Sequence, residues 1–361
     1  MIKSFDEVFE DVTKLGVKMK TDEYHPIGKY QIIDQGQEAV AGYSDLEDGV
    51  FENVPAIVFG DHTRIVKYVD QPFFLGADGV KVLCSRFEDA NYRYLYYALK
   101  SVKIPNTGYN RHFKWLKEAK IYYPNSEEQS KIVSILDGIS SVIEHRQRQL
   151  QKLDDLVKAR FVELFGDPND NPKGYSKKQL KDTCRVITGN TPSRAVSEYY
   201  GEHIEWIKTD NIVSGLLNPT TATESLSEKG MAVSRTVESG AILMVCIAGS
   251  IASIGRVCVT DRKVSFNQQI NAIVPSDYNI LFLYVMLQIS KEYLVEEINM
   301  ALKGILSKSK LEEKTFYVPP IELQEQFAAF VEQTDKSKVA VQKALDEAQL
   351  LFDSLMQKYF E

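Results

Sequence analysis

Two long stretches of this chain place hydrophobic residues at alternating intervals of three and four. The first stretch covers about residues 125–165 and the second about 320–361. This spacing gives a helix one continuous apolar face, and it is the heptad signature of helices that pack on each other. We therefore predict a coiled coil of two long helices. The positions expected to pack are Ile132, Ile139, Leu150, Leu153 and Phe161 in the first helix, and Phe327, Val341, Leu345 and Leu355 in the second.

Outside these stretches the pattern changes to short apolar runs bounded by polar and turn residues. Such runs are typical of strands, and two further segments have helical spacing. The predicted helices cover residues 92–100 and 279–289. The chain should therefore contain mixed α+β globular domains. The predicted strands are 56–59, 64–69 and 80–83 in the first half, and 241–245, 255–259 and 270–274 in the second.

The second half of the chain repeats the first. An offset of 195 residues pairs Tyr122 with Tyr317 and Pro124 with Pro319 at the entries to the two long helices. A repeat of this length is a duplicated domain, since solenoid units run to roughly 20–50 residues. We predict two similar target-binding domains, two spacer helices and one linker. Their ranges are 1–124 for the first domain, 125–165 for the central helix, 166–174 for the linker, 175–319 for the second domain and 320–361 for the C-terminal helix.

The linker favours an antiparallel arrangement of the two helices. A helix of about 40 residues is roughly 60 Å long, whereas nine extended residues reach roughly 30 Å. An antiparallel pair needs only this short connection, and it relates the two domains by a pseudo-two-fold axis. Ser126 and Gln129 fit a capping box at the first helix, and Pro320 suits the first turn of the second.

Composition and charge narrow the class of protein. The formal net charge is −7, but six basic residues and one acidic residue lie between Lys100 and Lys120. This local excess allows a surface that faces DNA on an acidic chain. The four cysteines are widely spaced and fit free thiols in a reducing cytoplasm. No apolar run is long enough for a membrane span, and the N-terminus resembles no signal peptide.

Motifs for catalysis are missing from the sequence. It contains no P-loop, no H-E-x-x-H, no G-x-S-x-G and no clustered Cys/His set. The five histidines are scattered singly, which favours surface or core roles over metal binding. We therefore expect no catalytic residue, no metal site and no cofactor in this chain.

Polar and aromatic loops at matching places in the two domains are the candidates for binding. Their guanidinium, ammonium, amide and hydroxyl groups suit base edges and phosphates. A solvated loop beside a helix, or amides at a sheet edge, would explain the same residues. The candidates are Thr107, Tyr109, Asn110, Arg111 and Lys114 in the first domain, and Thr191, Ser193, Arg194, Lys208, Asn211, Ser250, Asn267, Gln268, Lys303, Ser307, Lys308 and Lys310 in the second.

Taken in order, these features resemble the specificity subunit of a Type I restriction-modification system. The resemblance covers essentially the whole chain. It rests on the Phe161–Pro168 junction, Gly189-x-x-Pro192, Trp206-Ile207-Lys208-x-Asp210, Asn267-Gln268, and Gly304-Ile305 leading to Pro319-Pro320-Ile321-x-x-Gln324. The first domain departs from the pattern, because it has Gly76-Ala77-Asp78 at the place of the Asn-Gln pair.

The resemblance implies a non-catalytic subunit that reads a bipartite, asymmetric target in double-stranded DNA. It implies two target recognition domains, helices that fix the gap between the half-sites, and two methylation subunits bound to the helices. S-adenosylmethionine would then belong to the methylation subunits, and ATP with magnesium to restriction subunits that join through the complex. Two other classes stay open: a coiled-coil scaffold without a DNA role, and a stand-alone methyltransferase or nuclease.

Overall fold

The computed structural model describes residues 1–76, 78–298 and 304–360. The chain folds into two compact units, Met1–His145 with Ala344–Glu361, and Arg146–Lys343. Each unit contains one α+β domain and parts of both long helices, so the boundary between the units crosses each helix.

The α+β domain of the first unit, which we call the first head, is built on a four-stranded antiparallel sheet in the order β2-β8-β5-β6. Its inner strand β5 is buried along its whole length, which fits its apolar sequence. The elements are β1 (Ile2–Ser4), α1 (Phe5–Val8), β2 (Phe9–Asp11), β3 (Tyr30–Ile33), β4 (Gly42–Ser44), β5 (Ala56–Gly60), β6 (Val66–Val69), β7 (Phe73–Leu75), β8 (Val80–Ser85), α2 (Tyr92–Lys100), α3 (Phe113–Lys117) and β9 (Lys120–Tyr122), followed by the long helix α4 (Ser126–Phe165).

The α+β domain of the second unit, which we call the second head, has a corresponding set of elements. They are β10 (Lys177–Gln179), α5 (Leu180–Thr183), β11 (Cys184–Thr188), β12 (Tyr200–Ile207), β13 (Ser225–Leu226), α6 (Glu228–Ala232), β14 (Thr236–Val237), β15 (Ile242–Val245), β16 (Ile247–Ala248), β17 (Val257–Val259), β18 (Val264–Phe266), β19 (Ile270–Pro275), α7 (Ile280–Ile289), α8 (Lys291–Val295), β20 (Gly304–Ile305), α9 (Lys308–Glu313) and β21 (Thr315–Tyr317), followed by the long helix α10 (Ile321–Phe360).

The two heads share one topology. The sheet β11-β19-β15-β17 repeats the order of β2-β8-β5-β6, and β10–β21 repeats the antiparallel pair β1–β9. A second sheet contains the parallel pair β3–β7 in the first head and β12–β18 in the second. The predicted duplication, the mixed α+β class and the six predicted strands and two shorter helices are therefore confirmed. The second head adds the strands β14, β16 and β20.

The long helices run antiparallel, as predicted. In the second unit Phe161 of α4 packs against Phe327 of α10, and Asp154 pairs with Lys338 at 2.7 Å, so the partners advance in opposite directions. In the first unit the early turns of α4 share a core with the last turns of α10. Of the predicted packing positions, Ile132, Phe161, Phe327 and Val341 are buried, and Ile139, Leu150, Leu153, Leu345 and Leu355 are partly buried.

Both long helices begin on a duplicated glutamine contact. The Gln129 side chain donates to the carbonyl of Pro124 at 2.9 Å, and Gln324 donates to the carbonyl of Pro319 at 2.8 Å. The predicted capping box is wrong, because Asn125 caps α4: its Oδ1 accepts from the Glu128 N–H at 2.9 Å. Both glutamines are buried, so their hydrogen bonds fix the junction between head and helix.

Candidate nucleic-acid interface

In the second head, the strands β12 and β18 end at a common point, and the polar loops meet there. The Asn267 N–H donates to the carbonyl of Ile207 at 3.0 Å, and the Asn190 N–H donates to that of Phe266 at 3.1 Å. Gly189 lies so close that an added Cβ would be 2.2 Å from the Asn267 oxygen. This close approach explains the glycine of the Gly-x-x-Pro motif.

Two more segments join this edge through backbone hydrogen bonds. The carbonyl of Gln269 accepts from the N–H of Cys246 at 2.8 Å, and the carbonyl of Cys246 accepts from the N–H of Leu306 at 2.8 Å. The strand pair β16–β20 continues this contact. The loop that carries Ser250 and the segment that carries Ser307 therefore start from the same edge as Gln268. We call this edge, with its loops, the second-head edge.

Several predicted residues remain exposed on the second-head edge. Thr191 donates to the Gln268 side chain, and Ser193 and Ser250 are exposed. Ser250 bonds only to the neighbouring Ser253 among the described contacts, at 3.1 Å. These hydroxyls and this amide offer both donors and acceptors on the surface.

Two predicted cations, Arg194 and Lys208, share one carboxylate. Arg194 makes two hydrogen bonds to Glu224, at 2.8 and 2.9 Å, and Lys208 also pairs with Glu224. The Arg194 guanidinium lies over the ring of Tyr200 at 4.4 Å, and both cations lie over Trp206. The hydrogen bonds from Arg194 and Lys208 lower the pKa of Glu224 to about 2. The cluster keeps one net positive charge.

Two of the predicted amides are already used inside the protein. Asn211 is buried, and its side chain bonds to Thr220 and to the carbonyl of Thr221, both at 3.2 Å. Asn267 is buried as well and bonds to Gln269. These amides shape the loops from within.

The remaining second-head candidates lie around α9. Ser307 caps this helix by accepting from the Lys310 N–H at 3.3 Å. Lys308 pairs with Glu312 at 3.5 Å and Lys310 with Glu297 at 3.9 Å, and both lysines are exposed. Lys303 lies outside the described residues.

In the first head, Asp61 and His112 hold the corresponding loop. The carbonyl of Asp61 accepts from the His112 N–H at 2.8 Å, and its side chain accepts from the Phe113 N–H at 2.7 Å. The His112 ring lies 3.0 Å from the same carbonyl through Nδ1, and both residues are buried. Asp61 thus caps α3 where Ser307 caps α9.

The loop held in this way exposes most of the first-head candidates. Tyr109 is 86% exposed and stacks on His62, with ring centroids 4.5 Å apart. Arg111 is exposed, 4.0 Å from Asp61. Asn110 bonds within the loop to Thr107, and Lys114 lies over Trp115. We call this loop and its neighbours the first-head edge.

Sequence reasoning missed Gln35, Asp61 and His62. Gln35 follows β3 and ties three loops together: it accepts from the His62 N–H at 3.1 Å and donates to the Asp78 carbonyl at 3.1 Å, and its carbonyl accepts from Thr63 at 2.6 Å. The polar run after the predicted strand 56–59 was a usable signal for Asp61 and His62. Gln35 has no such signal, because its strand was not predicted.

Among the described residues, no group of three or more His, Cys, Asp or Glu side chains could hold a metal ion. Burial raises the pKa values of the Cys184, Cys246 and Cys258 thiols to about 12. Thiols of this kind are poor nucleophiles at neutral pH. Over the described ranges, neither the long helices nor the shorter ones have an apolar segment that could cross a membrane.

The fold and the two edges define a class of protein: two similar heads, each with an exposed polar edge, carried by paired helices. Residues 1–154 and 172–348 match the family described as Type I restriction modification DNA specificity domain. The chain belongs to this family.

Individual relatives agree with this assignment. The chain is similar to the Type I restriction enzyme HindI specificity subunit of Haemophilus influenzae, with 32% identity over 120 residues, 32% of this chain and 25% of that protein. It is 26% identical over 271 residues to the Type I restriction enzyme MjaIX specificity subunit of Methanocaldococcus jannaschii, covering 67% and 60%. The matches thus span less than two thirds of either curated relative.

A crystal structure of the Type I restriction-modification S subunit from M. genitalium has a similar fold. Its TM-score is 0.62 at 18% sequence identity, and the match covers 100% of this chain and 96% of that one. At this identity the likeness concerns the fold.

Proposed function

We propose that this chain is the non-catalytic DNA-recognition subunit of a Type I restriction-modification complex. Residues 1–124 and 175–319 act as two target recognition domains, and each reads one half of a bipartite target in double-stranded DNA. The observation that carries this proposal is the duplicated edge, where one topology presents exposed hydrogen-bonding side chains twice. Such side chains read base edges in the grooves, while cations hold phosphates.

The two half-sites differ in sequence, since the two edges carry different chemistry. The first-head edge offers Tyr109, Asn110 and Arg111 on one loop. The second-head edge offers Thr191 with Gln268, and the cation cluster at Arg194. Arginine prefers guanine and amides prefer adenine, so each edge favours its own pattern of donors and acceptors.

The helices at 125–165 and 320–361 act as the spacer, joined by the linker at 166–174. They fix the gap between the half-sites, and two methylation subunits dock on them. Exposed apolar side chains on these helices support docking: Val142 is 46%, Leu156 50% and Leu350 72% exposed. In the assembled cytoplasmic complex, S-adenosylmethionine lies on the methylation subunits, and ATP with magnesium lies on restriction subunits.

The test is the methylated motif of cells that express this chain with its methylation subunit. We expect one bipartite motif with two unlike halves and a fixed gap. A chain whose Tyr109, Asn110 and Arg111 are all changed to alanine should alter one half and leave the other intact. Methylation without a split motif, or a motif unaffected by this change, would overturn the proposal.

Duplex binding by the purified complex separates the two rival classes. A DNA-recognition subunit loses affinity steeply as salt rises, because phosphate contacts release counterions. A scaffold would show no salt-dependent binding. A stand-alone methyltransferase or nuclease would turn over DNA without its partners when given S-adenosylmethionine or a metal ion.

A further inference from the structure

An arginine that is not among the candidates described above lies at the same turn in both heads. In the first head, the Arg64 N–H donates to the carbonyl of Gly60 at 2.7 Å after strand β5. In the second head, the Gly255 N–H donates to the carbonyl of Val245 at 2.9 Å after the matching strand β15, and Arg256 follows at once. The two arginines thus occupy neighbouring positions of one duplicated turn.

A lysine accompanies each arginine. Lys103 stands eight residues after Leu95 of α2, and Lys291 stands eight residues after Leu283 of α7, which occupies the same place in the repeat. Arg64 and Lys103 line one hollow of about 570 Å³ in the first unit. Arg256 and Lys291 line another of about 250 Å³ in the second unit. Each head therefore places one arginine and one lysine in a common hollow, Arg64 with Lys103 and Arg256 with Lys291.

In the second head, both cations contact only backbone carbonyls among the described contacts. Arg256 donates to Thr209 at 3.1 Å and to Ser253 at 3.3 Å, and Lys291 donates to Ala252. Burial, and then the charge of Arg256, lower the pKa of the Lys291 ammonium. Two like charges that are partly desolvated together would be stabilised by a bound anion.

Other charged groups in the same hollow do not cancel this pair. Asp154 is bonded to Lys338 at 2.7 Å, and the hollow also contains Lys158. Burial raises the pKa of the Asp335 carboxyl, so its negative charge is disfavoured there. Even if Asp154 and Asp335 are both charged, the net charge of the hollow is positive, because four cations line it: Arg256, Lys291, Lys338 and Lys158.

In the first head, Arg64 has a backbone φ of +65°. Side chains other than glycine rarely adopt this conformation, and the second head has Gly255 with φ +76° at this position. The Arg64 Nε is buried and has no hydrogen-bond partner among the described residues. Backbone strain of this kind concentrates at functional sites, which makes Arg64 a candidate for ligand contact.

Both pairs adjoin the edges that should read bases. Thr209, which accepts from Arg256, directly follows Lys208. Ile104, whose carbonyl accepts from Arg64 at 3.4 Å, lies at the root of the loop that carries Thr107. We propose that Arg64 with Lys103, and Arg256 with Lys291, form one phosphate-binding site in each head that holds the DNA backbone beside the base-reading loops. This inference rests on the proposed function.

The test measures duplex affinity against salt for the chain assembled with its methylation subunits. Each variant, R256Q or K291Q, should lower the salt slope by about 0.9 and weaken binding roughly three- to tenfold. The loss should be equal for target and unrelated duplexes, because phosphates carry no sequence information. The methylated motif should not change.

Controls separate this site from general charge effects and from misfolding. K178Q removes a lysine of the second head that pairs with Asp277 at 2.9 Å, and it should leave the slope unchanged. R256K and K291R keep the charge and should keep the slope. If R256Q does not fold, K291Q still tests the phosphate site, because the described contact of Lys291 is one carbonyl of a surface loop and its loss should not unfold the protein.

R64G tests the first head, since it installs the residue that the second head has. We expect a lower salt slope and a melting temperature no lower than that of the wild type. If wild-type protein binds no duplex, the proposed function fails. If it binds with a steep slope that R256Q, K291Q and R64G leave unchanged, or if these variants change the methylated motif, the phosphate sites are overturned.

Discussion

The two heads share a topology but fix their functional loops by different chemistry. In the first head a buried carboxylate, Asp61, holds the loop and caps α3. In the second head Cys246 occupies this place, backbone groups make the same contacts, and Ser307 caps α9. The backbone contacts are thus the common scaffold, and side chains around them can diverge. This explains how duplicated domains can present unlike surfaces.

The heads also differ in their attachment to the long helices within each unit. The second head packs Phe282 of α7 against Phe161, Phe165 and Phe327 of the helices. The first head adds polar contacts to an apolar core that it shares with both helices: Arg93 and Tyr97 of α2 both bond to Asp137 of α4. Apolar burial is insensitive to salt, whereas an ion pair that is 36% exposed on each side is screened.

Phe161→Ala should show the largest effect. Removing a fully buried aromatic ring costs about 3–5 kcal/mol in unfolding free energy, so the second unit should unfold at lower urea concentration. Asp137→Ala in the first unit removes the polar counterpart and should cost clearly less. Urea unfolding of both variants checks the order. Equal losses would contradict the contrast between apolar and polar attachment.

Gly189→Ala tests the close approach in the second-head edge. The new Cβ would meet the Asn267 oxygen at 2.2 Å, a backbone atom that cannot move aside. We expect about 1–3 kcal/mol of destabilisation and weaker recognition of one half-site. Gly249→Ala is the matched control, since an added Cβ there meets nothing within 4 Å. If G189A is as stable as G249A, the close packing of Gly189 against the Asn267 carbonyl is contradicted.

Asp61→Ala should affect the first head alone. It leaves the Phe113 N–H without its partner, which costs about 1–3 kcal/mol for a buried donor. The loop with Tyr109 and Arg111 loses its anchor, so one half of the methylated motif should tolerate more sequences.

Ser307→Ala removes the cap of α9 in the second head. It should cost about 1 kcal/mol of unfolding free energy, and the other half of the motif should tolerate more sequences. If either variant makes both halves of the motif less specific, the two edges do not read their half-sites independently.

Periodicity predicted the scaffold well and the site only in part. Helical and strand spacing report local burial, so α2, α7, both long helices and the strands β5, β6, β8, β15, β17 and β19 could be predicted, whereas β2 and β11 of the same sheets were missed. The parallel pairs β3–β7 and β12–β18 could not, since they join segments distant in sequence. Asn211 and Asn267 show the limit for the site: sequence does not tell whether an amide faces solvent or bonds inward.

Glu224→Gln should show the smallest effect, and it depends on pH. The folded-state pKa of Glu224 is lowered from 4.5 to about 2 by Arg194 and Lys208. A lowered pKa stabilises the fold above the unfolded value, so the contribution is present above pH 4.5 and is lost as pH falls towards about 2. The side chain is 34% exposed, so screening keeps the effect modest. Melting temperatures of wild type and E224Q should differ at neutral pH and converge in acid. Glu202→Gln, which changes an exposed carboxylate of the neighbouring strand β12, is the control. A gap between wild type and E224Q that persists at the lowest pH would show that the cluster stabilises the second head by packing on Trp206 and Tyr200 and not by charge.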